Sequence, residues 1–207
     1  MGRYTGPKWK LARREGLDLF SRGSALTADT PLKRRDYPPG VHAQTRKKIS
    51  EYGLRLREKQ KLKRIYGMRE RQCLRYFREA VRMKGDAGQN LLSLMERRLD
   101  ATVTTAGFAI TIAQARQLIV HGHFRVNGRR VNVPSYRVRP GEVIEAGPKE
   151  GTQKMVETNL ELNKMTPIPS WMEVDPKEKK ATITGIPSRE EFPYPIVENL
   201  IVEFYSR

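Results

Sequence analysis

Little in this chain could close a covalent or metal framework: its 207 residues include one cysteine, Cys73, and three histidines. A lone thiol excludes an internal disulfide and leaves no cysteine set for zinc. Its helical spacing to Phe77 and Val81 predicts a small buried residue instead. Long apolar runs are missing too. Nothing approaches the ~18 to 20 residues that a spanning helix needs, and the first ten residues lack the apolar segment and cleavage pattern of a signal peptide, so a cytosolic protein without membrane attachment is expected. Catalytic constellations are absent as well: there is no Walker loop, no Gly-x-Gly-x-x-Gly, no Gly-x-Ser-x-Gly and no carboxylate pair in an apolar setting. His121 and His123 are the only imidazole pair, with Gly122 between them and no acid or thiol near enough to complete a metal site. The expectation is a protein that is not an enzyme and takes no metal, no cofactor and no small-molecule substrate.

Acids are scarce in one half only. Residues 1–84 hold 24 Lys and Arg against 8 Asp and Glu, whereas residues 85–207 hold 16 against 15, so nearly all of the net +17 lies in the first half. Such a density of cation drives association with a polyanion, and RNA is the first partner to consider.

Four segments follow from composition and periodicity. Residues 1–49 form a basic arm with no sustained period, broken by Gly-Pro, Ser-Arg-Gly-Ser and Tyr-Pro-Pro-Gly, with a short helical turn expected over Trp9–Glu15. Residues 50–96 read as a helical domain: Ser50 to Tyr66 with Gly67 as its stop, then Arg69 to Lys84 closed by Gly85. In the second helix Cys73, Phe77, Ala80, Val81 and Lys84 share a face, while Arg71, Arg75, Arg78 and Arg82 follow at steps of four, three and four and so lie in one row. Cations in a row without interleaved acids repel each other, and a polyanion explains them better than a merely solvated face does. Arg57, Lys61 and Arg64 extend the same surface.

Residues 97–146 hold eight arginines and no lysine. A helix opened by Asn90 and running to Ala106, a stop at Gly107, a capping box at Thr111-Ile-Ala-Gln114 and a second helix ending at His121-Gly122 make a compact helix–helix unit. Gln114, Gln117 and His121 form a polar stripe, while Arg116 falls inside the apolar arc, where its tip needs an acid such as Asp100 or a phosphate. Asn127-Gly128 is the strongest short hairpin signal. Matching Phe124 to Val133 and Val126 to Val131 favours a four-residue loop, with Arg129 and Arg130 at its tip. Pro140-Gly141 then turns into a third strand at Val143-Ile144. Arginine's planar fork holds phosphate bidentately and stacks on bases, and a histidine ring stacks and donates, so His121, His123, Arg129 and Arg130 are candidate RNA contacts.

Residues 147–207 change character, with eight bases against ten acids. A helix from about Gln153 to Met165, strands at Trp171–Val174 and Ala181–Thr184, and a closing strand over Leu200–Tyr205 are expected to complete the fold. Their exposed edges suit a protein neighbour or simply close the structure. The fold class expected is α+β: a basic arm and helical domain, an inserted helix–helix–hairpin RNA-binding module, and a β-rich end.

Several motifs together resemble a known family. Gln-Ala-Arg-Gln-Leu-Ile-Val-His-Gly-His at 114–123, Val-Asn-Gly at 126–128, Pro-Ser-Tyr-Arg-Val at 134–138, Leu-Arg-Glu-Lys-Gln-Lys at 56–61, Arg-Ile-Tyr-Gly at 64–67, Arg-Arg-Glu-Gly at 13–16 and the terminal Ile-Val-Glu-Phe-Tyr-Ser-Arg are similar to the fourth protein of the bacterial small ribosomal subunit. The module at 97–146 is also shared with some pseudouridine synthases, RNA methyltransferases and tyrosyl-tRNA synthetases, so the flanking motifs carry the resemblance. The alternative is an RNA-modifying enzyme with the same module, although only 61 residues follow Ala146. The resemblance implies a primary binder of small-subunit ribosomal RNA that nucleates assembly and lies beside incoming messenger RNA and neighbouring ribosomal proteins, with an influence on decoding accuracy. Repression of its own messenger is an implied second role. By position, Arg46, Lys47 and Lys48 match the basic patch facing messenger, and Arg3, Lys8, Lys10, Arg13, Arg14 and the helical arginines match the ribosomal RNA surface. Relatives that bind zinc through four cysteines carry them at positions that correspond to Trp9, Ala12, Leu26 and about Thr30–Pro31 here. This chain therefore resembles the zinc-free variety, its arm ordered by RNA and by apolar contacts of Trp9, Leu11 and Phe20.

Overall fold

The computed structural model describes residues 4–20, 31–41, 48–164 and 166–206. In chain order these form α1 (Lys8–Glu15), α2 (Pro31–Arg34), α3 (Glu51–Ile65), α4 (Glu70–Arg82), α5 (Ala87–Glu96), α6 (Leu99–Thr105), α7 (Ile112–Val120), β1 (Phe124–Val126), β2 (Arg129–Arg130), β3 (Val143–Ala146), α8 (Glu150–Leu162), β4 (Met172–Asp175), β5 (Lys180–Ile183) and α9 (Glu198–Tyr205). The class is α+β, as the sequence implies. Two compact units result, one containing the described residues up to Leu91 and from Tyr194 onward, the other Leu92–Pro193.

The first unit is helical. Ser50 caps α3 by accepting the Gly53 amide at 3.2 Å, which satisfies a donor that the first helical turn leaves open. Its most buried cation is Lys59, 5% exposed. The ammonium donates to Glu70 at 2.7 Å and lies 4.5 Å from the Phe204 ring centre, so α3, α4 and α9 meet around one charge. This packing overturns the closing strand expected at 200–205. The short apolar run alternates, but it also places Ile201, Phe204 and Tyr205 at helical spacing. Ile201 is fully buried, Phe204 packs on Tyr52 and Tyr205 on Phe77, with ring centres 5.7 and 4.9 Å apart. In so short a run, periodicity alone does not separate the two structures, and tertiary packing selects the helix.

Polar contacts fasten the described part of the arm. The Glu15 side chain is fully buried and pairs with Arg57 and Arg64 of α3. Burial pushes its carboxyl pKa up, against the pull of these two guanidinium groups. Arg13 donates to the Tyr37 and Pro38 carbonyls at 3.0 and 3.3 Å, and Arg14 to that of Pro39 at 3.1 Å. Ala12 and Leu19 are buried, but Trp9, expected as an apolar anchor, is 55% exposed.

In the second unit a five-stranded antiparallel sheet runs in the order β2-β1-β3-β5-β4. Its inner face presents Phe124, Val126, Ile144, Ala181 and Ile183 to Leu99 and Val103 of α6, Ala115 and Ile119 of α7 and Val156 of α8. Each large side chain buried this way stabilises the fold by about 1.5–3 kcal/mol, so the alternation of the strands fixes which face is covered.

Two local expectations fail here for identifiable reasons. The helix expected from Asn90 to Ala106 begins earlier, where Asp86 accepts the Gln89 amide, and breaks after Glu96. Arg98 turns extended and bridges Arg137, while the amides of Leu99 and Asp100 go to the carbonyls of Tyr136 and Pro134 at 2.8 and 3.1 Å. Donors that a continuous helix would use internally are taken by the 134–137 segment. The hairpin closes with a two-residue loop, not four: Val126 faces Arg129 and Arg125 faces Arg130. Asn127 and Gly128 both have positive φ, 48° and 75°, a backbone whose twist matches the flanking strands. Turn chemistry thus outweighs the apolar match. The Val131 amide goes to the Phe124 carbonyl at 3.4 Å, so Val131 does not face Val126, and Val133 is 48% exposed.

Candidate nucleic-acid interface

On α4 the buried side is Cys73, Tyr76, Phe77 and Ala80, and burial raises the Cys73 thiol pKa. Val81 and Lys84, expected on that face, are exposed. The opposite side presents Arg71, Arg75, Arg78 and Arg82, all four exposed, and none has an acid within ion-pair reach among the described residues. A surface row of unpaired arginines with little to relieve its repulsion is what a phosphate backbone neutralises.

The cations of α3 are arranged otherwise. Arg57 and Arg64 hold Glu15, Lys61 pairs with Glu58, and Lys63 reaches Glu70 at 3.0 Å. Arg57, Arg64 and Lys63 tie α3 to its neighbours and Lys61 pairs within α3, so these side chains carry less free charge outward than the sequence pattern implied. In the arm, Lys8 and Lys10 are exposed, with the Lys8 ammonium 5.8 Å from the Phe20 ring centre. Lys48 is exposed. Arg3, Arg46 and Lys47 lie outside the described residues.

In the module the arginines divide between structure and surface. Arg98 and Asp100 are fully buried, and Arg116 donates from Nε to Asp100, the acid expected at its tip, at 2.8 Å. Gln114 is likewise turned inward: its carbonyl oxygen accepts the Ile110 amide at 2.7 Å and its amide reaches Asn159. Gln117 and His121 remain exposed, and so does Arg129 at the hairpin.

A cationic cluster forms where α7 ends. The His121 and His123 rings lie parallel, 6.3 Å between centres and 13° apart in plane. The Arg130 guanidinium packs over the Gly122 backbone and donates to the His121 carbonyl at 3.1 Å. His123 Nδ1 meets the Thr152 hydroxyl at 2.7 Å. Burial lowers the His123 pKa, and the nearby His121, Lys149 and Arg130 lower it further, which favours the neutral form of the ring. Lys149 escaped the sequence reading. It is brought here when the Gly147 amide bonds to the His123 carbonyl at 2.7 Å, a long-range pairing with no local signal.

Among the described residues no group of three or more His, Cys, Asp and Glu is placed to hold a metal ion. Trp9 and Ala12, two of the positions at which zinc-binding relatives carry cysteine, offer no ligand atom. No described helix is long and apolar enough to cross a membrane.

A basic helical unit with an open arginine row, together with an α+β unit whose hairpin and helix end gather cations, defines a nucleic-acid-binding protein. Comparison with known proteins narrows the class. Residues 3–96 match the Ribosomal protein S4/S9 N-terminal domain and residues 97–144 the S4 domain. Over the full length of both chains, the protein is 48% identical to the small ribosomal subunit protein uS4 of Thermoanaerobacter sp. (strain X514) and of Thermodesulfovibrio yellowstonii, and 49% identical to that of Caldicellulosiruptor bescii. The chain belongs to the small ribosomal subunit protein uS4 family.

Proposed function

We propose that this protein is a structural component of the small ribosomal subunit, held there by ribosomal RNA, and that it works as a scaffold and not as an enzyme. Its place is the ribosome in the cytoplasm, among RNA and neighbouring ribosomal proteins. The observation that carries the mode of binding is the exposed, acid-free row Arg71, Arg75, Arg78 and Arg82 on α4. This row neutralises phosphates, while His121, His123, Arg129 and Arg130 meet the local shape of the RNA. Primary binding that starts assembly fits such a division, because bulk charge gives speed and affinity while the rigid module gives register. We assign Lys48, with Arg46 and Lys47 beside it in sequence, to the side of incoming messenger RNA. The support is the position of this basic triplet in the family pattern.

The test is binding to small-subunit ribosomal RNA across a range of salt. The logarithm of the affinity falls with the logarithm of salt by ~0.7–0.9 for each phosphate contacted. A variant with Arg71, Arg75, Arg78 and Arg82 all changed to Ala should lose about three units of that slope. An unchanged slope would remove the row from the interface, and a wild-type slope of only one or two would remove the RNA reading altogether.

A further inference from the structure

Trp9 is 55% exposed on α1, a large aromatic surface that the helical unit leaves in water. Its sequence neighbours Lys8 and Lys10 are exposed, and so is Arg14 one turn beyond Lys10. The helix has one acid, Glu15, and that side chain is fully buried against Arg57 and Arg64. The outer side of α1 therefore presents Lys10 and Arg14 with the indole at its flank and Lys8 at the start of the helix, and the helix's own carboxylate is turned away from them.

Charge and ring together specify an occupant. The cations require a partner rich in anions, and the indole requires a flat face to cover it. A single-stranded nucleic acid supplies both at the repeat of one nucleotide, since a base follows each phosphate. Paired bases inside a helix already have both faces stacked. We propose that Trp9 is a stacking platform for one unpaired base of the bound RNA, with Lys8, Lys10 and Arg14 holding the flanking phosphates. This assignment rests on the RNA reading above and adds to it a contact made by a π face and not by charge.

The chain has two tryptophans, and the other, Trp171, is 4% exposed. In full-length protein carrying Trp171→Phe, emission therefore reports Trp9 alone. Titration with small-subunit ribosomal RNA should quench that emission and shield the indole from acrylamide. Trp9→Ala should weaken binding by about tenfold at fixed salt, since stacking on an aromatic side chain is worth ~1–3 kcal/mol per base. The salt slope should stay at its wild-type value, because no cation is lost. Trp9→Phe should recover most of the affinity. Trp9→Leu, which keeps apolar bulk without a π face, should bind as weakly as Trp9→Ala, and it serves as the second reading if Ala disturbs the helix.

Wild-type affinity in Trp9→Ala or in Trp9→Leu would overturn the proposal, as would an indole that stays open to acrylamide on the RNA. Shielding that arises only in the assembled subunit would also overturn it, by assigning the indole to a protein neighbour. A failure of this kind leaves the steep salt dependence of the wild type intact, whereas failure of the RNA reading removes it.

Discussion

Asp100 grips Arg98 across both carboxylate oxygens, at 2.9 and 2.6 Å, with both side chains closed to solvent. The same carboxylate accepts Arg116 at 2.8 Å and its neighbour's amide, that of Ala101, at 2.9 Å. The acid thus sits where the helix breaks and stitches α6 to α7. Asp100→Asn would leave the buried Arg98 without its counter-charge. Removing one partner of a buried pair costs about 3–5 kcal/mol, and urea unfolding should show a loss of that order. Replacing both residues with apolar side chains of similar volume should restore much of it. A loss below ~1 kcal/mol in Asp100→Asn would show that water relieves the site.

Glu70 sets the acid limb of stability in the helical unit. Burial raises its pKa, but hydrogen bonds from Lys59, Lys63 and Tyr205 outweigh that effect and hold it at about 2. A carboxylate depressed in the folded state contributes stability that is complete above its unfolded pKa, near 4.3, and is lost as pH falls toward 2. The side chain is half exposed, so solvent screening limits the contribution to about 1 kcal/mol. Urea midpoints of wild type and Glu70→Gln, compared between pH 6 and 2.5, should converge as the pH drops. A constant gap would remove Glu70 as the titrating group.

The hairpin turn gives a separate test of register. Gly128 has φ +75°, where a side chain costs about 1–2 kcal/mol. Gly128→Ala should lower stability by about 1 kcal/mol in chemical denaturation, and Asn127→Gly, which keeps the backbone but gives up the Asn127 Oδ1 that accepts the Val143 amide at 2.8 Å, should lower it by about 0.5–1.5 kcal/mol. The four-residue loop favoured by the apolar pattern would make neither residue special, so equal tolerance at both positions would revive it.

Features governed by local chemistry were legible in the sequence. Ser50 and Thr111 announced the starts of α3 and α7, Asn127-Gly128 announced the turn, and the spacing of Arg71, Arg75, Arg78 and Arg82 placed them on one exposed row. What escaped depends on partners far along the chain. Nothing near Arg98 shows that the segment around Tyr136 takes the amides of Leu99 and Asp100, so the helix break was hidden. Nothing in Leu200–Tyr205 reveals Lys59, the cation around which α9 closes. The same reason hid the pairing of Arg57 and Arg64 with Glu15, which engages two expected RNA contacts in ion pairs within the helical unit.

Gly122 and Arg130 offer the sharpest test of how the module presents its charge. A Cβ on Gly122 would occupy the space of the Arg130 guanidinium, which lies on that backbone and is held by the His121 carbonyl. Gly122→Ala should therefore displace Arg130 and weaken binding to ribosomal RNA by as much as Arg130→Ala does, on the order of tenfold if the guanidinium makes a charge-assisted phosphate contact. Strain at φ +74° will also lower stability, but that cost falls on folding and is read separately by denaturation. A double-mutant cycle separates the routes. If Gly122 acts only by seating Arg130, the double variant binds no worse than Arg130→Ala. If the two losses add, the glycine contributes on its own account, through the close approach of RNA backbone to a surface without a side chain.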